Sequence, residues 1–175
     1  MVAAIELYLD VDASRRVRKL WQALEEEGVQ TLASLLDERH RPHVSLAAAR
    51  RLEPEAVTAA LAGHAVGRGL TLELDFVGQF IGRVLWLGVA PTLELLELHR
   101  EVHDRLAGHG IEVWEHYRPG RWVPHCTISL RVPNPMMAAA VRRCLEILPV
   151  RAEVTGAAVT DHANDVSQPL PVVTR

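Results

Sequence analysis

The chain has 175 residues, 49% of them hydrophobic and 23% charged, with a formal net charge of −3. This is a globular composition, and the acidic balance excludes the electrostatic grip on duplex DNA that basic domains provide, while leaving room for a local phosphate pocket. No apolar run reaches the ~20 residues that span a bilayer, and the sequence opens on a strand pattern rather than an export signal, so a cytoplasmic protein without membrane association is expected. Two cysteines, Cys126 and Cys144, suit reduced, buried thiols better than a disulfide framework.

In chain order, residues 3–9 are apolar enough for a central strand, and residues 10–14 carry turn and helix-cap side chains. Val17, Leu20, Trp21 and Leu24 recur at helical spacing over 14–27, and Gly28 stops that helix. A strand over 41–48 contains Pro42-His43-Val44-Ser45-Leu46. Pro54 opens a helix to about residue 62, and residues 70–80 and 84–89 alternate as a hairpin around Gly82. A second helix-strand series follows. Residues 93–107 are helical, 111–114 suit a short strand, and an aromatic and basic loop over 116–122 leads into Pro124-His125-Cys126-Thr127-Ile128-Ser129-Leu130. A helix over 136–148, a strand over 150–160, a turn over 162–167 and a proline-marked edge strand over 170–174 complete the chain.

The halves repeat one order: strand, helix, histidine strand, helix, strand. Such repetition implies two alike lobes related by an approximate two-fold axis, at about 1–82 and 83–175 of a single domain covering 1–175, with strand exchange between them allowed. Alternation puts His43 and Ser45 on one strand face, and His125, Thr127, Ser129 and Arg131 on one face of the other. The axis then sets the two histidines on opposite walls of one cleft. A neutral imidazole can take a proton from a nucleophile while a protonated one gives a proton to a leaving oxygen, and both forms exist near neutral pH. The serine and threonine hydroxyls are suited to phosphoryl oxygens. This is the arrangement needed to open a 2′,3′-cyclic phosphate with water, or to run the reverse or transesterifying reaction, and no metal or other cofactor is expected.

The paired His-x-Ser/Thr strands, about eighty residues apart in a chain of duplicated order, resemble the 2H phosphoesterase superfamily, and within it the bacterial 2′-5′ RNA ligase-like and cyclic phosphodiesterase proteins. The resemblance implies a bilobal α+β fold with a central cleft and metal-independent hydrolysis of cyclic or 2′-5′ phosphodiesters, with RNA end joining in some members. His43 and Ser45 match the first motif, and His125 and Thr127 the second. An arginine often follows the second motif in the family; here Arg131 comes after an extra residue, Ser129, and is the phosphate-binding candidate.

Tyr117 is the candidate base platform, and Arg41 and Arg121 either line the cleft mouth or are solvated. His99 and His103, at i and i+4, have the spacing of a zinc pair but no evident third ligand, so a helix edge is expected. His40, His64, His109, His116 and His162 fall in or near expected loops and read as exposed. The expected partner is RNA ending in a cyclic phosphate, or a small cyclic nucleotide, bound by a monomer. The alternatives are a 2′-5′ RNA ligase and, from another class, an RNA- or nucleotide-binding module without turnover.

Overall fold

The structure is a computed structural model and describes residues 2–35 and 40–170. Its strands are β1 (Ala3–Leu9), β2 (His43–Ala49), β3 (Thr71–Phe80), β4 (Val84–Val89), β5 (His125–Ser129), β6 (Val150–Asp161) and β7 (Val166–Pro169). Its helices are α1 (Val11–Glu26), α2 (Pro54–Ala60), α3 (Leu93–Gly108) and α4 (Met137–Ile147), with short 3₁₀ turns at Leu32–Ser34, Glu115–Tyr117 and Asn134–Met136. The two halves therefore share the expected order in an α+β fold. Two expectations shift. Residues 111–114 form no strand, although the Trp114 N–H donates to the Ala48 carbonyl. A strand at Val166–Pro169 begins where a turn was expected, and the expected edge strand over 170–174 lies, beyond Leu170, outside the described residues.

All strand pairs are antiparallel, in the order β2-β1-β6-β3-β4-β5, with β7 on the outer part of β6. The first half thus gives β3 to the side carrying β4 and β5, and the second half gives β6 to the side carrying β1 and β2. β6 is long enough to pair with β3 over Val150–Glu153 and with β1 over Val154–Asp161. This exchange ties the lobes together through one strand. The helices follow the same rule, α1 packing on α4 and α2 on α3.

Local sequence explains the elements. Asp10 caps α1, its Oδ1 accepting from the Asp12 and Ala13 N–H groups at 2.9 Å and its Oδ2 from Glu153 N–H at 2.7 Å, which fixes helix and β6 together. Val17, Leu20, Trp21 and Leu24 are buried as their spacing predicts. Thr92 caps α3, accepting from Leu95 N–H at 3.3 Å. Both cysteines are free and buried in the core, and burial pushes the Cys126 thiol up to about 12.

Candidate active site

Pairing registers set the site. On β1 and β2, Tyr8 lies opposite His43 and Glu6 opposite Ser45. On β4 and β5, Gly88 lies opposite His125 and Trp86 opposite Thr127. These are equivalent positions in the two lobes. After each hydroxyl residue the register slips by one, leaving Leu46 as an extra residue on β2 and Ile128 on β5. A bulge inverts the alternation beyond it. Ala48 and Leu130, three residues past Ser45 and Thr127, therefore border the same space as the histidines.

Both imidazoles are anchored alike. The Nδ1–H of His43 donates to the Arg41 carbonyl at 2.6 Å, and the Nδ1–H of His125 to the Val123 carbonyl at 2.7 Å. Each bond fixes a ring and its tautomer and leaves Nε2 for other partners. The strands are neighbours across the two-fold axis: the Cys126 thiol faces the backbone of His43, and the charge of one histidine acts on the other. Two adjoining cavities make up the cleft. One, about 420 Å³, is bordered by Glu6, His40, His43, Ser45 and His162; the other, about 790 Å³, by Phe80, His116, Arg121 and His125. Tyr117, Thr127, Val2 and Leu130 border both.

The surroundings of the two histidines differ. His125 lies edge-on to Phe80, with centroids 4.9 Å apart, and 5.7 Å from the Trp86 ring. Burial pushes it below the ordinary histidine value, against the bond to Val123, and the charges of His43 and His116 push the same way. His43 Nε2 instead lies 3.4 Å from Glu6 Oε1, and His162 Nε2–H donates to that oxygen at 3.0 Å. Burial works to raise the Glu6 carboxyl, yet the charge of His43, the bond and charge of His162 and the Thr160 hydroxyl outweigh it and hold the group at about 2. Glu6 is therefore a buried carboxylate, 3% exposed in its side chain. His40 lies tilted against His162, with ring centroids 4.0 Å apart; its burial and the charges of His162 and His43 press it down to about 4.

The loop before β5 is held from below. His99 Nε2–H donates to the Tyr117 carbonyl at 2.8 Å, and His103 Nε2–H to the Leu46 carbonyl at 3.0 Å. Trp122 stacks flat on His99 at 4.0 Å and donates through Nε1 to the Ser45 carbonyl at 3.1 Å. The result is a half-buried Tyr117 that borders the smaller cavity together with Ser45. His99 and His103 are buried rather than at the core-to-surface helix edge expected of them, and Nε2 of each is bound to a carbonyl.

The family model of the 2′-5′ RNA ligase superfamily matches residues 11–166. The chain belongs to that superfamily. Among solved structures it is similar to Escherichia coli LigT in its apo form (22% identity, TM-score 0.63, covering 97% of this chain and 94% of that one). It is also similar to E. coli LigT complexed with 3′-AMP (22%, 0.62, 97% and 94%) and to the MHV ns2 PDE domain (18%, 0.53, 96% and 95%). At these identities the likeness speaks for the fold, a 2H phosphoesterase fold over almost the whole chain. No curated protein matches the sequence.

Of the residues that sequence singled out in this superfamily member, His43, Ser45, His125, Thr127 and Tyr117 all border the cleft. Arg131 does not. It is exposed beyond the end of β5, and Leu130 takes the place that simple alternation gave it, because the bulge at Ile128 changes the parity. Ser129 is likewise turned inward, its hydroxyl donating to the Gln30 carbonyl at 2.6 Å. Arg121 borders the cleft and pairs with Glu115 at 3.3 Å. Arg41 lies over the Tyr8 ring at 5.4 Å.

Glu6, His40 and His162 were missed. The available signal was the lone carboxylate in Ala-Ala-Ile-Glu-Leu-Tyr-Leu, since a charge on a central strand is buried only with partners. Among the described residues, no group of three or more His, Cys, Asp or Glu is arranged to hold a metal ion, and no helix is long and apolar enough to cross a membrane.

Proposed function

We propose that this superfamily member is a phosphodiesterase that opens 2′,3′-cyclic phosphates at RNA ends or in small nucleotides, with His43 and His125 dividing the proton transfers. The supporting observation is the matched anchoring: two imidazoles on facing strands, each tied through Nδ1 to the carbonyl two residues before it, each with a hydroxyl two residues after it. In the reaction a bond forms between water oxygen and phosphorus, and the bond from phosphorus to one ribose oxygen breaks. The water proton goes to one Nε2, and the other Nε2 gives its proton to the ribose oxygen. Ser45 and Thr127 hold the phosphoryl oxygens as charge gathers on them.

Both proton transfers are provided by the protein, so no metal is needed. A nucleotide ligand is supported by the LigT structure holding 3′-AMP. The test is incubation with adenosine 2′,3′-cyclic phosphate in excess chelator. Ring opening to 2′- or 3′-AMP is expected, with loss of at least about a hundredfold in either His→Ala variant, the usual contribution of general acid-base catalysis. Loss of turnover on chelation sinks the metal-free reading, and full activity in either variant sinks the paired one. Joining of RNA halves through a 2′-5′ bond, without hydrolysis, would favour the ligase reading suggested by the superfamily's name. Tight binding of the cyclic nucleotide without any product would favour a binding module.

A further inference from the structure

The aromatic loop before β5 runs on beyond the cleft. Tyr117 borders both cleft cavities, and its ring centroid lies 5.0 Å from that of His116. His116 stacks in turn on Trp114, with centroids 5.6 Å apart and ring planes 28° apart. Trp114 is half-buried and stands at a boundary. It borders the 790 Å³ cavity beside His125 and also a separate open groove of about 820 Å³. The bond from Trp114 N–H to the Ala48 carbonyl, 2.8 Å, ties this residue to the end of β2. Three rings therefore lead from the cleft to the groove.

The groove is walled by Arg50, Arg51 and Glu53, from the segment joining β2 to α2, and by Ile111 and Glu112 after α3. Both arginines are exposed. Arg51 pairs with Glu53, but their side chains are 82% and 51% exposed, and an ion pair so open to water holds its partners weakly. Either arginine can therefore take up a phosphate, which a guanidinium grips through two N–H groups at once. The four formal charges of the groove cancel, so it has no broad positive field for a duplex and suits single phosphates held one by one.

We propose that this groove is a subsite for the RNA strand preceding the cyclic phosphate end, with Trp114 stacking a base and Arg50 and Arg51 holding backbone phosphates. The preferred substrate is then an oligonucleotide rather than a mononucleotide. This rests on the hydrolytic reading above for the end that reacts. Rings that accept any base, followed by cations for the backbone, are the parts with which proteins track a single strand. The span agrees. Arg50 follows His43 by seven residues along β2 and its end, roughly 20 Å at about 3.3 Å per residue, beyond a mononucleotide in the cleft and within reach of a short strand.

The probes are adenosine 2′,3′-cyclic phosphate and a tetra-adenylate ending in a 2′,3′-cyclic phosphate. The wild type is expected to open the tetramer with a kcat/KM at least roughly tenfold higher. Arg50→Ala combined with Arg51→Ala is expected to lose roughly tenfold on the tetramer while staying within about threefold on the mononucleotide, since both side chains are exposed. Each phosphate contact given up lowers the salt dependence of tetramer binding, by about 0.7 in the slope of log affinity against log salt. Glu53→Gln releases Arg51 and is expected to raise kcat/KM on the tetramer roughly threefold, a gain that a merely structural role would not produce.

Equal kcat/KM for the two probes in the wild type overturns the subsite and leaves the hydrolytic reading standing. A tetramer preference that the double arginine variant keeps, salt slope included, overturns it as well. Where neither probe is opened, the hydrolytic reading fails, and the anisotropy of a fluorescently labelled tetra-adenylate decides the subsite separately. Affinity that falls roughly tenfold in the arginine variant keeps it, and unchanged affinity overturns it.

Discussion

Leu46 and Ile128 are the same irregularity made twice: each is the extra residue of a bulge that follows the hydroxyl of a histidine strand. The bulge returns Ala48 and Leu130 to the face of the histidines and turns the next residues away. Arg131 is thereby kept out of the cleft. Arg131→Ala is expected to leave kcat/KM for adenosine 2′,3′-cyclic phosphate within about threefold, the range of a surface change. Leu130→Glu, which sets a negative charge against an anionic substrate, is expected to raise KM by at least about tenfold, an unfavourable interaction of about 1.4 kcal/mol. Steady-state kinetics of the two variants checks both expectations, and a large loss in Arg131→Ala would return that side chain to the phosphate.

The aromatic wall beside His125 is built by laying rings over glycines. A Cβ on Gly78 would stand 2.1 Å from the Trp86 ring, and one on Gly88, the partner of His125, 2.1 Å from Phe76. Neither ring is a free-ended chain that can swing aside at little cost. Gly78→Ala is expected to destabilise the fold by about 1–3 kcal/mol, the usual cost of overpacking. Thermal unfolding should show a fall of about 2–4 °C per kcal/mol for a chain of this length. Combining Gly78→Ala with Trp86→Ala relieves the clash, so the double variant is expected to be more stable than the two single losses summed.

Acid should weaken the fold in two windows. His40 and His99 are held near 4 by burial and neighbouring histidines, below an ordinary 6.5. Between those values the unfolded chain binds protons that the folded chain refuses, so stability falls as pH drops from 6.5 toward 4. Glu6 runs from an ordinary 4.5 down to about 2 against the pull of burial. Its contribution is present above 4.5 and is lost as pH falls through 2. Urea midpoints measured across pH 7 to 2 should show both declines; Glu6→Gln should flatten the second and, because the Glu6 charge raises His40, deepen the part of the first that His40 contributes.

Much of the site was legible because a repeat supplies its own control: a single His-x-Ser says little, whereas its recurrence in matching order located His43, Ser45, His125 and Thr127 on facing strands. The strand exchange through β6 was allowed by the order of elements but not required by it, since pairing partners are set by non-local packing. Arg131 was expected on the histidine face and stands off it because a bulge changes parity without a reliable local signature, Leu46 and Ile128 being ordinary apolar strand residues. His162 and His40 looked like loop residues and were legible only through Glu6. Once Glu6 is buried on the central strand, chemistry demands donors or positive charge beside it, and the fold delivers His162 from 156 residues away.

The rate of cyclic phosphate opening should follow a bell in pH, with an acidic limb displaced by the aromatic wall. On the low side activity is lost when the base takes a proton, and His125, whose apolar surroundings disfavour its charged form, is the histidine suited to that part. Burial between Phe80 and Trp86 lowers its affinity for that proton, the charges of His43 and His116 lower it further, and only the bond to Val123 opposes them. The acidic limb of kcat/KM is therefore expected below the ordinary histidine value of about 6.5. Phe80→Ala opens the edge of the imidazole to water, removes part of the leading cause and should move that limb upward, so that the variant loses proportionally more activity at pH 6 than at pH 8. A limb that stays in place when Phe80 is truncated would mean that the titrating base is not His125, and full pH profiles of the wild type and Phe80→Ala decide the matter.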